Sequence, residues 1–358
     1  MRIETVALAD APAAAWDDLA RAADNVFYER WMVDAAMALR DVEPPGLLLA
    51  WSDDGTLAGL LPLGARSRFG MDLATENWEQ VIRALGQPLV RAGLERAFWQ
   101  AALPWLDRSA GGAFLRLSAL AADSPVTLAL VEQLAADGRQ HEVTRRYERA
   151  ILRGGTSSAE HAALHVRGKV LKEHRRLRAR LGDRGAVTFE RLGPDADPNP
   201  WIDALFALEL TGWKGRDGVA AAADPATERA FRAILTEAQA RGRLDFHRLA
   251  VADQPIAMLA CIEGPDDTAI QLKIAYDEGW ASFSPGVLLE MEYLAHALDR
   301  RGLSLVDSCA RAGHPMIDRI WPERREIVSL AIPFDRWSSR LAVAAQATAR
   351  RWRRKEAA

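Results

Sequence analysis

Between residues 276 and 314 the chain carries a phenol, a carboxylate and an imidazole that could act together: Tyr276, Asp307 and His314. An imidazole titrates near neutral pH, so His314 is the residue type suited to passing a proton. It lies in Ala310-Arg311-Ala312-Gly313-His314-Pro315, just after a strand-like run ending at Asp307. The ends of strands are where sites in α/β folds gather. Asp307 could orient the imidazole or hold a cation, and Tyr276 could protonate a leaving group. Each also has a plainer reading. His314 could cap a helix opened by Pro315, Asp307 could be an N-cap or a partner of Arg311, and Tyr276 could be a half-buried strand aromatic.

A second group suits anion binding. Ser284-Pro285-Gly286 opens an apolar-periodic run, with Ser at the N-cap position and Pro at the first helical position. Gly286 removes side-chain bulk there. The start of such a helix presents free N–H groups to an anion, although Pro285 has none to give. A third group, Glu209, Trp213 and Lys214, lies at the end of another helical run. Lys214 could meet a phosphate or carboxylate, and Trp213 could wall a groove. A C-terminal cation and a core Trp are the plainer alternatives.

Placing these residues requires a strand over 270–276, a turn, a helix from 285 and a parallel strand over 303–306. Around that unit the pattern predicts a strand at 187–192, helices at 201–212 and 225–241, and a hairpin of 244–251 with 255–262. A short helix at 315–320 and a strand at 327–332 complete the second half. The first half repeats the theme of helices, hairpin, helix and strand, with an Asp-Gly hairpin turn at 52–55. The Gly154-Gly155-Thr156-Ser157-Ser158 stretch marks the boundary. The expected domains are 1–153, 154–335 and a basic amphipathic tail, 336–358.

The chain has 358 residues, 49% hydrophobic and 27% charged, which suits about two globular domains. A net charge of −3 argues against bulk nucleic-acid binding. Two cysteines, Cys261 and Cys309, make neither a disulfide framework nor a metal-ligand spacing, and a reducing, cytosolic setting follows. The N-terminus lacks a signal-peptide pattern, and no apolar run reaches the roughly 20 residues of a spanning helix. The run 167–184 is a basic helix that could form an electropositive rim, or simply a solvated face. The tail carries Trp337, Leu341, Ala345 and Trp352 among arginines, as an interfacial helix on anionic lipid would.

In order, Gly212-Trp213-Lys214-Gly215, the hairpin, Tyr276-Asp277, Ser284-Pro285-Gly286 and Asp307 resemble the GNAT-superfamily acetyltransferases of the cellulose-biosynthesis (CelD/BcsL-like) type. These are relatives of the FemAB peptidyltransferases. The resemblance covers roughly 167–332. It implies an α/β (α+β) fold of two tandem GNAT-like domains, each a mixed, largely antiparallel sheet flanked by helices, with the first half divergent. It also implies acyl-CoA as co-substrate, with no permanently bound cofactor and no metal. The acyl-CoA would lie in a V-shaped split along 271–276. Its pyrophosphate would rest on Ser284, Pro285, Gly286, Val287 and Leu288, with Lys273 among its contacts. Two departures stand out: only one glycine in the cradle, and Met316-Ile317-Asp318-Arg319 where many members carry a Tyr-Lys pair.

The resulting expectation is an acyl-CoA-dependent N-acyltransferase of the EC 2.3.1 type, cytoplasmic and peripheral on the inner face of the membrane through its tail. His314, Asp307 and Tyr276 would be catalytic, and Trp213, Lys214 and Glu209 would bind the acceptor. The Trp content and basic segments tilt the acceptor toward a lipid-like amine such as a long-chain base, as in a bacterial ceramide-type acyltransferase. An envelope amino sugar competes within that class. The alternatives outside it are an aminoacyl-tRNA-dependent peptidyltransferase of the FemAB kind and a non-catalytic scaffold.

Overall fold

The structure is a computed structural model and describes residues 1–68, 71–166, 168–337 and 339. The chain folds into two compact units. The first holds residues 1–33, 43–147 and the described residues from 326 onward, and the second holds 34–42 and 148–325.

In the first unit the strands are β1 (Arg2–Ala7), β2 (Gly46–Trp51), β3 (Leu57–Arg68), β4 (Met71–Asn77), β5 (Leu89–Val90) and β6 (Phe114–Ala121). The order is β1-β2-β3-β4-β6, followed by the last strand, Glu323–Pro333, on β6. All pairings are antiparallel except β4 with β6, and β5 pairs with β3. The Asp-Gly turn joins β2 and β3, where its Gly55 takes a positive φ of 83°.

The second unit begins within β7 (Glu142–Arg153) and continues with β8 (Val187–Arg191), β9 (Leu244–Val251), β10 (Gln254–Glu263), β11 (Thr268–Tyr276) and β12 (Leu305–Asp307). Its order is β7-β12-β11-β10-β9-β8, with β11 and β12 the one parallel pair. Its helices begin with α1 (Ser158–His165), capped by a Ser157–Glu160 capping box, and α2 (Gly168–Gly182). Next come α3 (Asn199–Thr211), the single turn α4 (Trp213–Arg216), α5 (Pro225–Ala240) and α6 (Pro285–Ala295). Alternation along β10 puts Ala257, Leu259 and Cys261 in one cluster with Leu288, Leu289 and Tyr293 of α6. Met258, Ala260 and Ile262, equally buried, point to the opposite face.

Two irregularities of β11 shape the site. β12 pairs with it only at Thr268, Ala269 and Ile270, yet β11 runs on to Tyr276 against β10. β12 ends at Asp307, opposite Ile270, so 271–276, the stretch of the expected split, extends beyond the pairing with β12. Leu272 is an extra residue in the register with β10, since Gln271 faces Cys261 and Lys273 faces Ala260. A bulge re-aims the side chains after it. Here it sends Gln271 to Glu290 of α6 at 2.8 Å and Lys273 to Glu209 of α3 at 2.9 Å.

The basic tail beyond 339 lies outside the described residues, as does Arg167 at the head of the basic helix. Among the described residues no helix is long and apolar enough to cross a membrane.

Candidate active site

A cavity of about 420 Å³ opens at the C-terminal end of β11. Ile274, Ala275 and Tyr276 of β11 line it, together with Ser284, Pro285, Gly286 and Val287 at the start of α6. Leu208, Glu209, Gly212, Trp213 and Lys214 supply another wall, and Arg311, His314, Pro315 and Met316 another. The lining is mainly apolar with a few convergent polar groups, the usual character of a small-molecule site. A second cavity of about 510 Å³ shares Ser284, Val287, Pro315 and Met316 with it. That cavity extends to Lys169, His174 and Leu177 of α2 and to Arg319.

Ser284 does not cap α6 through its hydroxyl, as its type and position suggest. It takes a left-handed conformation (φ 51°, ψ 52°) and makes no side-chain cap bond. Such a conformation is costly for a residue with a Cβ, and strain of this kind collects at ligand sites. The N–H of Leu288 donates to the Ser284 carbonyl. With Pro285 lacking an N–H, the open donors of the turn are Gly286 and Val287. Gly286 is closely packed: a Cβ there would lie 3.1 Å from Met316 Sδ, which would have to give by a few tenths of an ångström, and in ordinary contact with the Tyr276 ring at 3.6 Å. The side chain lying over this glycine is thus Met316. Beside the turn, the guanidiniums of Arg180 and Arg184 stand 5.2 and 6.0 Å from the centre of the Phe283 ring, adding positive charge.

His314 is half-buried and lines the cavity. Burial lowers its pKa, and Arg311 and Lys214 lower it further, against a smaller pull upward from Asp318. The imidazole is therefore neutral at neutral pH, the state a proton acceptor needs. Its Nδ1 accepts from the Ile317 N–H at 3.4 Å, a bond at the long limit that restrains the ring and pins its tautomer only weakly. The helix expected from Pro315 is a single 3-10 turn, Ile317–Arg319.

Asp307 does not touch His314. Its side chain is buried and pairs bidentately with Arg149, Nε to Oδ1 at 2.6 Å and Nη2 to Oδ2 at 2.7 Å. Arg325 lies 3.5 Å from Oδ2, and the Cys309 N–H donates to Oδ1. It anchors the end of β12 and does not line the cavity. Arg311, its expected partner, stands free of it on the cavity wall.

Glu209 is fully buried as a side chain and serves as the hub of the opposite wall. It accepts from Lys214 Nζ at 2.7 Å, from Lys273 Nζ at 2.9 and 3.0 Å and from the Ala221 N–H at 3.1 Å. Burial raises its pKa, but the two ammoniums outweigh that and hold the carboxyl below its usual range. Glu209 is thus a fixed anion and no proton acceptor. Lys214 also donates to the Ile274 carbonyl at 2.8 Å, joining this wall to β11. Lys273 sits 4.2 Å from the Phe231 ring centre, on the Glu209 face and off the cavity. The other members of the cradle and acceptor sets converge on one space; Asp307, Lys273 and Leu288 do not line it. Sequence reasoning missed Arg311 and Met316 as wall residues. The residues around His314 carried that signal.

No curated protein matches the chain in sequence. Among solved structures it is similar to a conserved protein of unknown function from Bacteroides thetaiotaomicron VPI-5482 (TM-score 0.58, 13% identity, 93% of this chain and 99% of that one). It is also similar to FemX (TM-score 0.58, 10% identity, 92% and 96%). A third is the C-terminal domain of a putative lysylphosphatidylglycerol synthetase from Agrobacterium fabrum (TM-score 0.54, 12% identity, 94% and 95%). At these identities the likeness is one of fold: mixed α/β, with mostly antiparallel strands flanked by helices. Residues 168–314, the segment that builds most of the cavity from α2 to His314, match the family model described as an acetyltransferase (GNAT) domain.

Proposed function

We propose that the second unit is an acyl-CoA-dependent N-acyltransferase. The observation that carries this reading is the pair of cavities meeting at Ser284, Val287, Pro315 and Met316. A long, hinged ligand with an anionic end and an acyl end fits that arrangement. Its pyrophosphate would meet the Gly286 and Val287 N–H groups, with Lys169, His174 and Arg319 around its nucleotide end. Its thioester would lie along the open edge of β11. The finer kinship, with the cellulose-biosynthesis-type acetyltransferases, rests on the ordered set of Gly212-Trp213-Lys214-Gly215, the hairpin, Tyr276-Asp277, Ser284-Pro285-Gly286 and Asp307.

In the reaction the acceptor amine attacks the thioester carbonyl, forming the C–N bond, and the C–S bond breaks as the tetrahedral intermediate collapses. The amine's proton passes to neutral His314. Backbone N–H groups at the edge of β11 stabilise the oxyanion. Tyr276 hands its phenolic proton to the departing CoA thiolate, and the proton taken up by His314 restores the phenol by way of solvent, so both groups end as they began. Asp307 acts in none of these steps; its ion pairs fix the end of β12, from which the His314 loop departs. The half-exposed Trp213 indole and the apolar lining favour an acceptor with an apolar body, such as a long-chain base. The exposed cations of α2 favour an anionic surface or donor.

The test is calorimetric titration with acetyl- and palmitoyl-CoA, followed by a free-thiol assay with long-chain bases and amino sugars as acceptors. Binding of an acyl-CoA and acceptor-dependent thiol release are expected. Binding of aminoacyl-tRNA with no affinity for any acyl-CoA would overturn the reading and favour aminoacyl transfer.

A further inference from the structure

Away from the cavity, the second unit buries a cluster that the acyl-transfer reading does not use. Asp245 and His247 are two residues apart on β9, so both side chains leave the same face. His296 begins a π-helical segment, His296–Arg301, directly after α6. Widened turns of this kind are rare and concentrate at functional sites. The π turn brings the His296 ring to 4.8 Å from that of His247.

All three residues are more than nine-tenths buried. His247 Nε2 lies 2.8 Å from Asp245 Oδ1, and His296 Nε2 lies 3.3 Å from Oδ2. Neither approach has hydrogen-bond geometry: His247 Nε2, His296 Nε2 and Asp245 Oδ2 are all buried without a hydrogen-bond partner. Buried polar atoms left unsatisfied are expensive, and three converging on one point call for a common partner. The three ligand atoms lie within 4.8 Å of one another.

We propose that Asp245, His247 and His296 bind a divalent transition metal of the zinc class. Two imidazoles and a carboxylate are borderline donors suited to Zn²⁺. Tetrahedral ligands at about 2.1 Å from a metal stand about 3.4 Å apart. The carboxylate–imidazole contacts at 2.8 and 3.3 Å would spread by tenths of an ångström, and ligand atoms standing farther apart, all within 4.8 Å, would draw in toward that spacing. Arg191 Nε, 2.6 Å from Asp245 Oδ1, belongs to a part-exposed side chain, so the cluster lies one side chain below solvent. Tyr293, whose hydroxyl is buried and unpaired, stands beside both rings and could take the hydrogen bond of a water in the fourth position. The role is structural. α6 starts at the cavity, and the metal would fasten its far end to β9, about 16 Å away along the helix.

The full chain, made without a polyhistidine tag, is assayed for bound metal and titrated with Co²⁺. One zinc per chain is expected as purified. After chelation, visible d–d absorption should saturate at one Co²⁺ per chain, and Zn²⁺ should raise Tm. His296→Gln and Asp245→Asn should abolish the band while the far-ultraviolet circular dichroism is retained. Wild-type protein with no bound metal, no band and no Tm response to Zn²⁺ would overturn the site, as would a band that survives both substitutions. These readouts do not depend on acyl transfer, so they stand or fall separately from it.

Discussion

At the scale of single residues, the site turns on which groups are charged. Glu209 is an anion locked between two lysines and cannot shuttle a proton, and Asp307 is tied up by two arginines away from the cavity. His314 is the imidazole of the cavity, and its Nδ1 lone pair is held only by the long bond from the Ile317 N–H. Its pKa lies below the ordinary imidazole value of 6.5, because burial and the Arg311 and Lys214 cations disfavour its charged form. The acidic limb of kcat/KM should therefore fall below pH 6.5, and His314→Gln should lower kcat by about 10²–10⁴-fold and remove that limb. The sign for stability is opposite to that of an ion-paired histidine. The unfolded chain binds the proton more readily, so His314 weakens folding as pH falls from 6.5 through its folded pKa. A limb above pH 7 would contradict the assignment. The candidacy of His314 was readable from its place after a strand end. The partners of Asp307 were not, because Arg149 lies 158 residues away and no local pattern encodes such a pairing.

At the scale of elements, local chemistry told most of the story. Proline and its neighbours set the start of α6 at Pro285, and alternation set the β9–β10 hairpin, observed at Leu244–Val251 and Gln254–Glu263. What sequence could not carry was anything held in place by tertiary contacts. The Leu272 bulge, the π turn after α6 and the left-handed Ser284 each depart from a regular pattern because a neighbour demands it. Ser284 makes this measurable. Glycine is at ease at a φ of 51°, so Ser284→Gly should stabilise the protein by about 0.5–1 kcal/mol in chemical denaturation. If the strained serine presents its hydroxyl to the acyl-CoA phosphates, the same change should raise KM for acyl-CoA several-fold with kcat nearly unchanged. A destabilised variant would refute the strain argument. A stabilised one with unaltered KM would remove Ser284 from the cradle.

At the scale of the whole molecule, two units of similar build treat the same structural opportunity differently. Each has one parallel strand pair where the sheet can part. In the second unit the cavity lies against the end of β11, beyond its pairing with β12. In the first, β4 ends at Asn77, a buried residue that stitches the place shut: Nδ2 donates to the Gly86 and Ser118 carbonyls at 2.8 and 2.9 Å, and Oδ1 accepts the Ser118 N–H at 2.9 Å. Gly86 fits there because a Cβ would fall 2.2 Å from the Ser118 carbonyl oxygen and 2.3 Å from Asn77 Nδ2. Arg83 closes the remaining side, reaching Tyr28 and the Ser118 hydroxyl. A coenzyme would have to displace this network, so calorimetry should give one acyl-CoA per chain. Asn77→Ala removes the four hydrogen bonds of a buried side chain and leaves carbonyls unsatisfied, a loss of about 2–4 kcal/mol of stability. The folded variant should still bind one acyl-CoA with unchanged affinity, because Asn77 serves the closed unit alone. Two sites per chain in the wild type would mean that the first unit opens, and the division of labour argued from Asn77 would fail.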